Sequence, residues 1–541
     1  MMFEIGKDIC KRGFVGFVNN VKGHKGLIVL YRIVLFFFII FAGATLWYGI
    51  KGPVGERNLN TNGQWQITRA DIEDRNGVKL AKNVMSGHIM LRPNAVKNPD
   101  DVANFVHDLL PYKYSVTDVL RLLKSGKFLY LKKEATDAEI AAVKNAKLEG
   151  LEIELIQKRR YPKHNLFSHI VGFVGRDDKG LEGVEMLFDD YLRENTEPLR
   201  LSLDARIQEQ FYIQLSYARQ KYRAKGAMGM LMNSKTGEMI AMVSLPDFDP
   251  ENVGAYPVEN RRFKPMRDVL EMGSIFKIFN TALAYENGIN KRYIVNKPYK
   301  MFTSRGKYIA TIHDVSSFRP SHPDFTVDEI MLHSCNVGSA QIALDLPMDA
   351  QKEFFERLKL DEVLSLDFGK TEKTLMPRQW GIAERATVSF GHGIAVTPVH
   401  LLLAVNAVTN GGFYIYPTIQ KRELGRIDGQ RVLSQEISTK LREIMVGVVE
   451  QTSGKKAKIH NIQIGGKTAT AEKRFNGKID KSKNITAFTG IFPAEAPQYI
   501  LLVVLDEPHA TEDSYGWKTA AWNAVPTAGK ILDGILPLLF E

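Results

Sequence analysis

Ser274-Ile275-Phe276-Lys277 sets a hydroxyl and an amine three residues apart. At i and i+3 of a helix, two side chains share one face, a turn apart. A serine hydroxyl is a weak nucleophile until a base takes its proton. A neutral lysine amine can be that base when desolvation or a nearby positive charge lowers its pKa. Gly273, just ahead, permits a tight helix start and close approach of a substrate. Ser-x-x-Lys arises by chance in long chains, so its meaning rests on what accompanies it.

Two other stretches accompany it. Ser334-Cys335-Asn336 follows a helical run ending at Leu332. It offers a hydroxyl for proton relay and an amide to orient an acyl chain. Lys467-Thr468-Ala469-Thr470 follows Gly465-Gly466 on an expected strand. There the lysine supplies a fixed cation for a carboxylate, the threonine a donor to the same group, and the strand edge a partner for an extended peptide. Gly466-Lys467-Thr468 also resembles the end of a phosphate-binding loop, but the glycine required five positions earlier is Asn461. In this order and in one domain, the three stretches resemble the motif set of penicillin-recognising serine enzymes.

The surroundings suit one sheet assembled from both ends of a domain. Ile207, Phe211, Leu215 and Ala218 mark one face of a helix after Leu203-Asp204. Ala227–Asn233 and Met239–Leu245 read as a hairpin across Ser234–Glu238. Ile462–Thr470, Thr486–Phe492 and Tyr499–Leu505 read as three more strands, and Val525–Leu536 as a closing helix. The expected fold is α+β: an antiparallel five-stranded sheet flanked by helices, over residues 201–541. Residues 51–200 alternate short strands with polar helices such as Pro99–Leu110. They read as a non-catalytic domain whose charge runs, Lys132-Lys133-Glu134 and Lys158-Arg159-Arg160, are solvated faces.

At the N-terminus, Leu27 to Ile50 is apolar apart from Arg32, and an apolar run of about 20 residues matches a bilayer core. Trp47 and Tyr48 stand at its far edge. Lys7, Lys11, Arg12, Lys22 and Lys25 precede it against Glu4 and Asp8, which predicts a cytoplasmic N-terminus. The expected layout is a cytoplasmic tail (1–26), a transmembrane helix (27–50), and an extracytoplasmic remainder at the inner membrane. A cleaved signal peptide is the competing reading, with Ala42-Gly43-Ala44 as its site; the apolar and preceding segments are both too long for it.

Composition agrees with a globular chain of 541 residues, 44% hydrophobic and 25% charged. Its 72 Lys and Arg against 61 Asp and Glu give +11, spread along the chain rather than gathered as a nucleic-acid patch. Two cysteines, Cys10 and Cys335, exclude a disulfide scaffold and a cysteine-rich metal site.

The chain resembles the class B penicillin-binding proteins over nearly all its length. Arg69–Gly77 (RADIEDRNG), Arg160-Tyr161-Pro162 and Gly180–Glu185 (GLEGVE) are similar to stretches of that family's non-catalytic pedestal. Leu203-Asp204 with Ile207-Gln208, Phe248-Asp249-Pro250, and Phe390–Gly393 with Thr397-Pro398 resemble its transpeptidase domain. Length and the ending Gly516–Gly529 lean toward the division-specific branch over the elongation branch.

The resemblance implies a membrane-anchored serine D,D-transpeptidase that cross-links peptidoglycan stem peptides ending in D-Ala-D-Ala and is trapped by β-lactams. It makes Ser274 the nucleophile, Lys277 the base, Ser334 the proton relay and Asn336 a holder of the peptide. Lys467 and Thr468 would bind the terminal carboxylate, and the N–H groups of Ser274 and Thr470 form the oxyanion hole. No cofactor is implied. A membrane glycan polymerase and other divisome proteins are implied partners. The family usually has glycine where Ala469 stands, and its methyl faces either the site or the layer behind it. His333 and His392 border motifs and read as structural, and Cys335 as packing behind the site. A catalytically impaired scaffold and an anchored β-lactamase or antibiotic sensor are the alternatives outside the transpeptidases.

Overall fold

The strands and helices expected after residue 200 form, with two strands shifted: that expected over Ile462–Thr470 runs Gly465–Phe475, and that expected over Thr486–Phe492 begins at Lys478. The computed structural model describes residues 31–32, 34–43, 69–315, 318–422, 429–475 and 478–540. Residues 31–43, apart from 33, are helical, and the side chains from Val34 to Phe41 are exposed. Among the described residues no helix is long and apolar enough to cross a membrane. The expected tail and the rest of the expected span (27–30, 33 and 44–50) lie outside those residues.

Residues 67–541 form one unit. Its first part is built on a long strand, β2 (Lys79–Leu91), which pairs antiparallel with β1 (Ile72–Glu73), β3 (Leu129–Ala135) and β4 (Leu151–Arg160). A short strand, β5 (Leu199–Arg200), joins β1 in parallel and carries the chain out of this part. Helices α1 (Pro99–Leu109), α2 (Val116–Lys124) and α3 (Asp137–Ala146) lie over the sheet, burying Val102, Val106, Val119 and Ile140 against Ile89, Leu91 and Leu131. Pro99 starts α1 where its missing N–H costs nothing. Reciprocal Ser115/Asp118 and Thr136/Glu139 boxes cap α2 and α3.

One expectation for this part fails. Arg159 is not solvated: it is buried, and its Nε lies 2.7 Å from Glu185 Oε1. Arg69 Nε meets the other oxygen of Glu185 at 2.6 Å, and Arg69 Nη1 meets Asp189 at 2.6 Å. Buried arginines need such partners, because desolvating an unpaired cation is costly. The neighbouring charges do stay near solvent: Lys158 pairs with Glu134, and Arg160 with Glu251 at 2.5 Å.

The second part is a three-layer α/β/α arrangement. Its sheet runs β8 (Gly465–Phe475), β9 (Lys478–Phe492), β10 (Tyr499–Asp506), β6 (Gly226–Asn233) and β7 (Met239–Leu245), antiparallel throughout. Side chains alternate between two cores. Met228, Met230, Ile500, Leu502 and Val504 face one, and Ala227, Leu231, Leu501, Val503 and Leu505 the other. The second face is covered by α4 (Ala205–Lys221), through Ile207, Phe211, Leu215 and Ala218, and by the C-terminal α10 (Ala524–Leu539). The first is covered by α5 (Lys277–Glu286), α8 (Pro398–Thr409) and α9 (Gln435–Gln451). Strand β8 is an open edge, and no helix follows it in the manner of a phosphate-binding loop.

Candidate active site

Ser274 sits on a single 3-10 turn, Gly273–Phe276, that feeds α5 at Lys277. In a 3-10 turn, residues i and i+3 eclipse, so the local fold stacks the hydroxyl over the amine. Lys277 Nζ lies 2.7 Å from Ser274 Oγ. Glycine is required at the turn. Gly273 has φ +48°, and its Cα packs under the carbonyl of Thr470 on β8. Gly391 has φ +78°, and a Cβ there would stand 2.2 Å from Gly273 O. Segments around 273, 391 and 470 therefore touch backbone to backbone.

Ser334 lies between α6 (Val327–Leu332), capped by a Thr326/Glu329 box, and α7 (Asn336–Asp345). It has φ +60°, a left-handed conformation costing a non-glycine residue about 1–3 kcal/mol. The turn is held by Ser334 N–H donating to Met331 O at 3.2 Å and Cys335 N–H to Ile330 O at 2.9 Å. It aims Ser334 Oγ between two amines: Lys277 Nζ at 3.4 Å and Lys467 Nζ at 3.0 Å. Asn336 Oδ1 accepts from Lys277 Nζ at 2.7 Å, and its Nδ2 donates to His313 O at 3.4 Å. In the free cleft this amide therefore orients the lysine.

Strand parity settles what β8 presents. Gly465, Lys467, Ala469 and Ala471 point to one face, and Gly466, Thr468 and Thr470 to the other. A Cβ on Gly465 would meet Ile491 and Met445, whereas one on Gly466 would meet Phe488. Ala469 belongs to the buried core on the Lys467 face, opposite Ala487, and its methyl packs in the layer that also holds Ile275 and Ile278. Thr468 Oγ1 shares a hydrogen bond with Ser453 Oγ at 2.8 Å, and the exposed Thr470 accepts from Ala520 N–H at 3.1 Å.

Both lysines are essentially out of water (1% and 0% exposed), while Ser274, Ser334 and Asn336 are half-buried. Burial lowers Lys277 to about 8 against a partial opposing pull from Asp314 and Cys335. Burial, with the neighbouring Lys277 charge, holds Lys467 well below the ordinary lysine value. A hydroxyl thus touches an amine that can be neutral near physiological pH, the requirement for general-base activation.

Of the seven sequence-derived site residues, Ser274, Lys277, Ser334, Asn336 and Lys467 are joined by hydrogen bonds here, whereas the side chains of Thr468 and Thr470 bond to Ser453 and Ala520 instead. Two contributors had escaped notice. Ser453, in a Thr-Ser-Gly turn after α9, supports Thr468. Asp314 accepts from the Asn336 N–H, and from Cys335 Sγ at 3.2 Å. Cys335 is thereby more than filler: its sulfur also accepts from Gly338 N–H at 3.2 Å and caps α7. His333 packs on Phe325, and His392 against Phe390.

A serine with a lysine base, a second hydroxyl and a strand edge define a serine acyl-transfer enzyme. Residues 227–527 match the family described as the penicillin binding protein transpeptidase domain, and residues 66–197 the penicillin-binding protein dimerisation domain. The chain belongs to the class B penicillin-binding proteins and is a transpeptidase of that family. It is 30% identical over 94% of its length to a probable peptidoglycan D,D-transpeptidase FtsI of Caulobacter vibrioides, of which 88% is covered. It is 27% identical over 91% to the peptidoglycan D,D-transpeptidase FtsI of Escherichia coli, of which 88% is covered. A solved peptidoglycan synthetase from Bifidobacterium adolescentis shares the fold, with TM-score 0.65 at 19% identity over 88% of this chain and 96% of that one.

Proposed function

We propose that this chain cross-links peptidoglycan stem peptides as a D,D-transpeptidase with Ser274 as nucleophile, during septum formation. The observation that carries the reading is the buried Lys277 amine, within hydrogen-bond reach of Ser274, Ser334 and Asn336 together. Neutral Lys277 takes the Ser274 proton as Oγ attacks the carbonyl between the terminal D-alanines. The C–N bond breaks, D-alanine leaves with a proton passed by Ser334, and an ester remains on Ser274. Lys467 holds Ser334 from the far side and supplies positive charge beneath the terminal carboxylate. Thr468 donates to that carboxylate once released by Ser453. The N–H groups of Ser274 and Thr470 stabilise the tetrahedral oxyanion, a term worth about 2.7–4 kcal/mol per donor in a comparable enzyme. An amine of a second stem peptide then attacks the ester, forms the cross-link and returns the proton to Ser274. β-Lactams open on the same hydroxyl.

The septal assignment is supported by the relatives named FtsI at 30% and 27% identity. An inner-membrane anchor with the catalytic domain outside is supported by the apolar segment at 27–50 and by the helix at its centre, whose Val34–Phe41 side chains are all exposed. A membrane glycan polymerase and divisome proteins are the proposed partners. Labelled penicillin tests the chemistry: one adduct per chain on Ser274, none on Ser274→Ala, and slow release. Rapid turnover points instead to a hydrolase, and an adduct elsewhere ends the reading. Mid-cell fluorescence of the tagged protein distinguishes septum from side wall.

A further inference from the structure

Asp314 follows the second strand of an exposed hairpin (Tyr299–Phe302 with Tyr308–Ile312), remote in sequence from all three motifs. One of its oxygens accepts from the Asn336 N–H and the other from Cys335 Sγ at 3.2 Å. Asn336 in turn holds Lys277 at 2.7 Å, and Lys277 lies 2.7 Å from Ser274 Oγ. A relay of contacts thus runs from Asp314 to the nucleophile without Asp314 reaching the cleft's hydroxyls.

We propose that Asp314 is a positioning residue for acylation of Ser274: its carboxylate pins the strained Ser334–Asn336 turn from behind and supplies a negative charge that partly offsets that of Lys277. The proposal rests on the reading of Lys277 as base. The groups facing Lys277 are few. Lys467 approaches from β8, the Cys335 thiol from the turn, and the Phe390 ring stands 5.8 Å from Nζ. Burial pushes the thiol up, so Cys335 stays protonated and donates to Asp314. Asp314 is therefore the formal negative charge felt by Lys277, and it strengthens the lysine's hold on its proton. Without it the amine would lose that proton at lower pH, and the turn would lose two hydrogen bonds.

The test is the rate of fluorescent-penicillin acylation of the full chain in detergent, measured against pH. Wild type rises with a midpoint at about 8. Asp314→Asn keeps an acceptor for the Asn336 N–H and removes the charge, so its midpoint moves down by about one pH unit, within the range of a close opposite charge. Asp314→Ala shifts the midpoint likewise and lowers the plateau about a hundredfold, the scale of a small misplacement of reacting groups. Asp314→Glu restores the midpoint, and it carries the test alone if Asn does not fold, by lowering the plateau with the midpoint held. Glu329→Gln removes a neighbouring carboxylate that pairs with Arg292 at 3.3 Å; it lowers Tm and leaves the midpoint in place. An unmoved midpoint in both Asn and Ala variants, or a Glu329→Gln profile matching theirs, overturns the proposal. Absence of any adduct in wild type would instead overturn the reading of Ser274.

Discussion

The pedestal and the cleft both bury charge-bearing nitrogen, with opposite consequences. In the pedestal, Arg69 and Arg159 clamp the two oxygens of Glu185, and Asp189 adds a further carboxylate to Arg69. Burial alone would pull the Arg69 guanidinium down, but those two carboxylates outweigh it and raise its proton affinity. In the cleft, Lys277 and Lys467 have hydroxyls, an amide and each other for direct company, Asp314 opposes the shift of Lys277 only in part, and both are lowered. A fully compensated cluster fixes structure, whereas a partly compensated one stores reactivity. The difference lies in partners rather than in depth.

Removing the partly compensated charge should cost function and spare the fold. Lys277→Met is expected to slow penicillin acylation about 10³- to 10⁴-fold, the upper range for a general base. Its Tm should match or exceed that of wild type, since a desolvated cation is replaced by an apolar chain of similar length. A Tm several degrees lower would mean that the lysine is structural.

The pedestal predicts the reverse. Glu185→Gln leaves two buried guanidiniums short of a carboxylate and should cost about 3–5 kcal/mol, read as a lower denaturant midpoint. Acylation of the remaining folded protein should stay within about threefold of wild type, because none of Arg69, Arg159 and Glu185 hydrogen-bonds into the cleft. Equal loss of acylation and stability would show that the two regions are coupled.

The comparison also has a pH signature. Lys277 titrates near 8 when folded and near the ordinary lysine value when unfolded, so between those values the unfolded chain binds more protons. Stability from this group therefore rises with pH across that window, and its penalty is complete below it. The Tm gap between Lys277→Met and wild type should narrow as pH climbs from about 8 toward 10. A constant gap would mean that burial does not oppose the charge.

What the chain discloses unaided follows the range of the interaction. The face of α4 was legible because one-sided burial leaves a helical period in the sequence, and the strands β6, β7 and β10 because burial on both faces leaves unbroken apolar runs. The three motifs were legible through their order. Arg159 was not, since its partners stand at 185 and, beyond the shared carboxylate, 69; a run of Lys158-Arg159-Arg160 looks solvated until the fold supplies them. Asp314 was hidden for a similar reason: a lone acid after a hairpin carries no local mark of the turn it holds twenty residues later. Register was the other missing quantity. Which way Ala469 faces depends on strand parity, and only the packing of Gly465 and Gly466 against opposite layers reveals it.

That parity yields the smallest effect. Ala469 shares the buried face with Lys467 and Ala471, and its methyl lies in the core opposite Ala487 rather than over the nucleophile. Ala469→Gly removes one buried methyl and loosens an edge strand, together worth about 1 kcal/mol of stability. Acylation should change by no more than about twofold, since β8 keeps its pairing with β9 on both sides of the position. If the variant instead gains tenfold or more in acylation, the methyl crowds the site after all. Alanine would then restrain the strand that carries Lys467 and Thr470, and the face it shares with Lys467 would be governed by access to the nucleophile rather than by core packing.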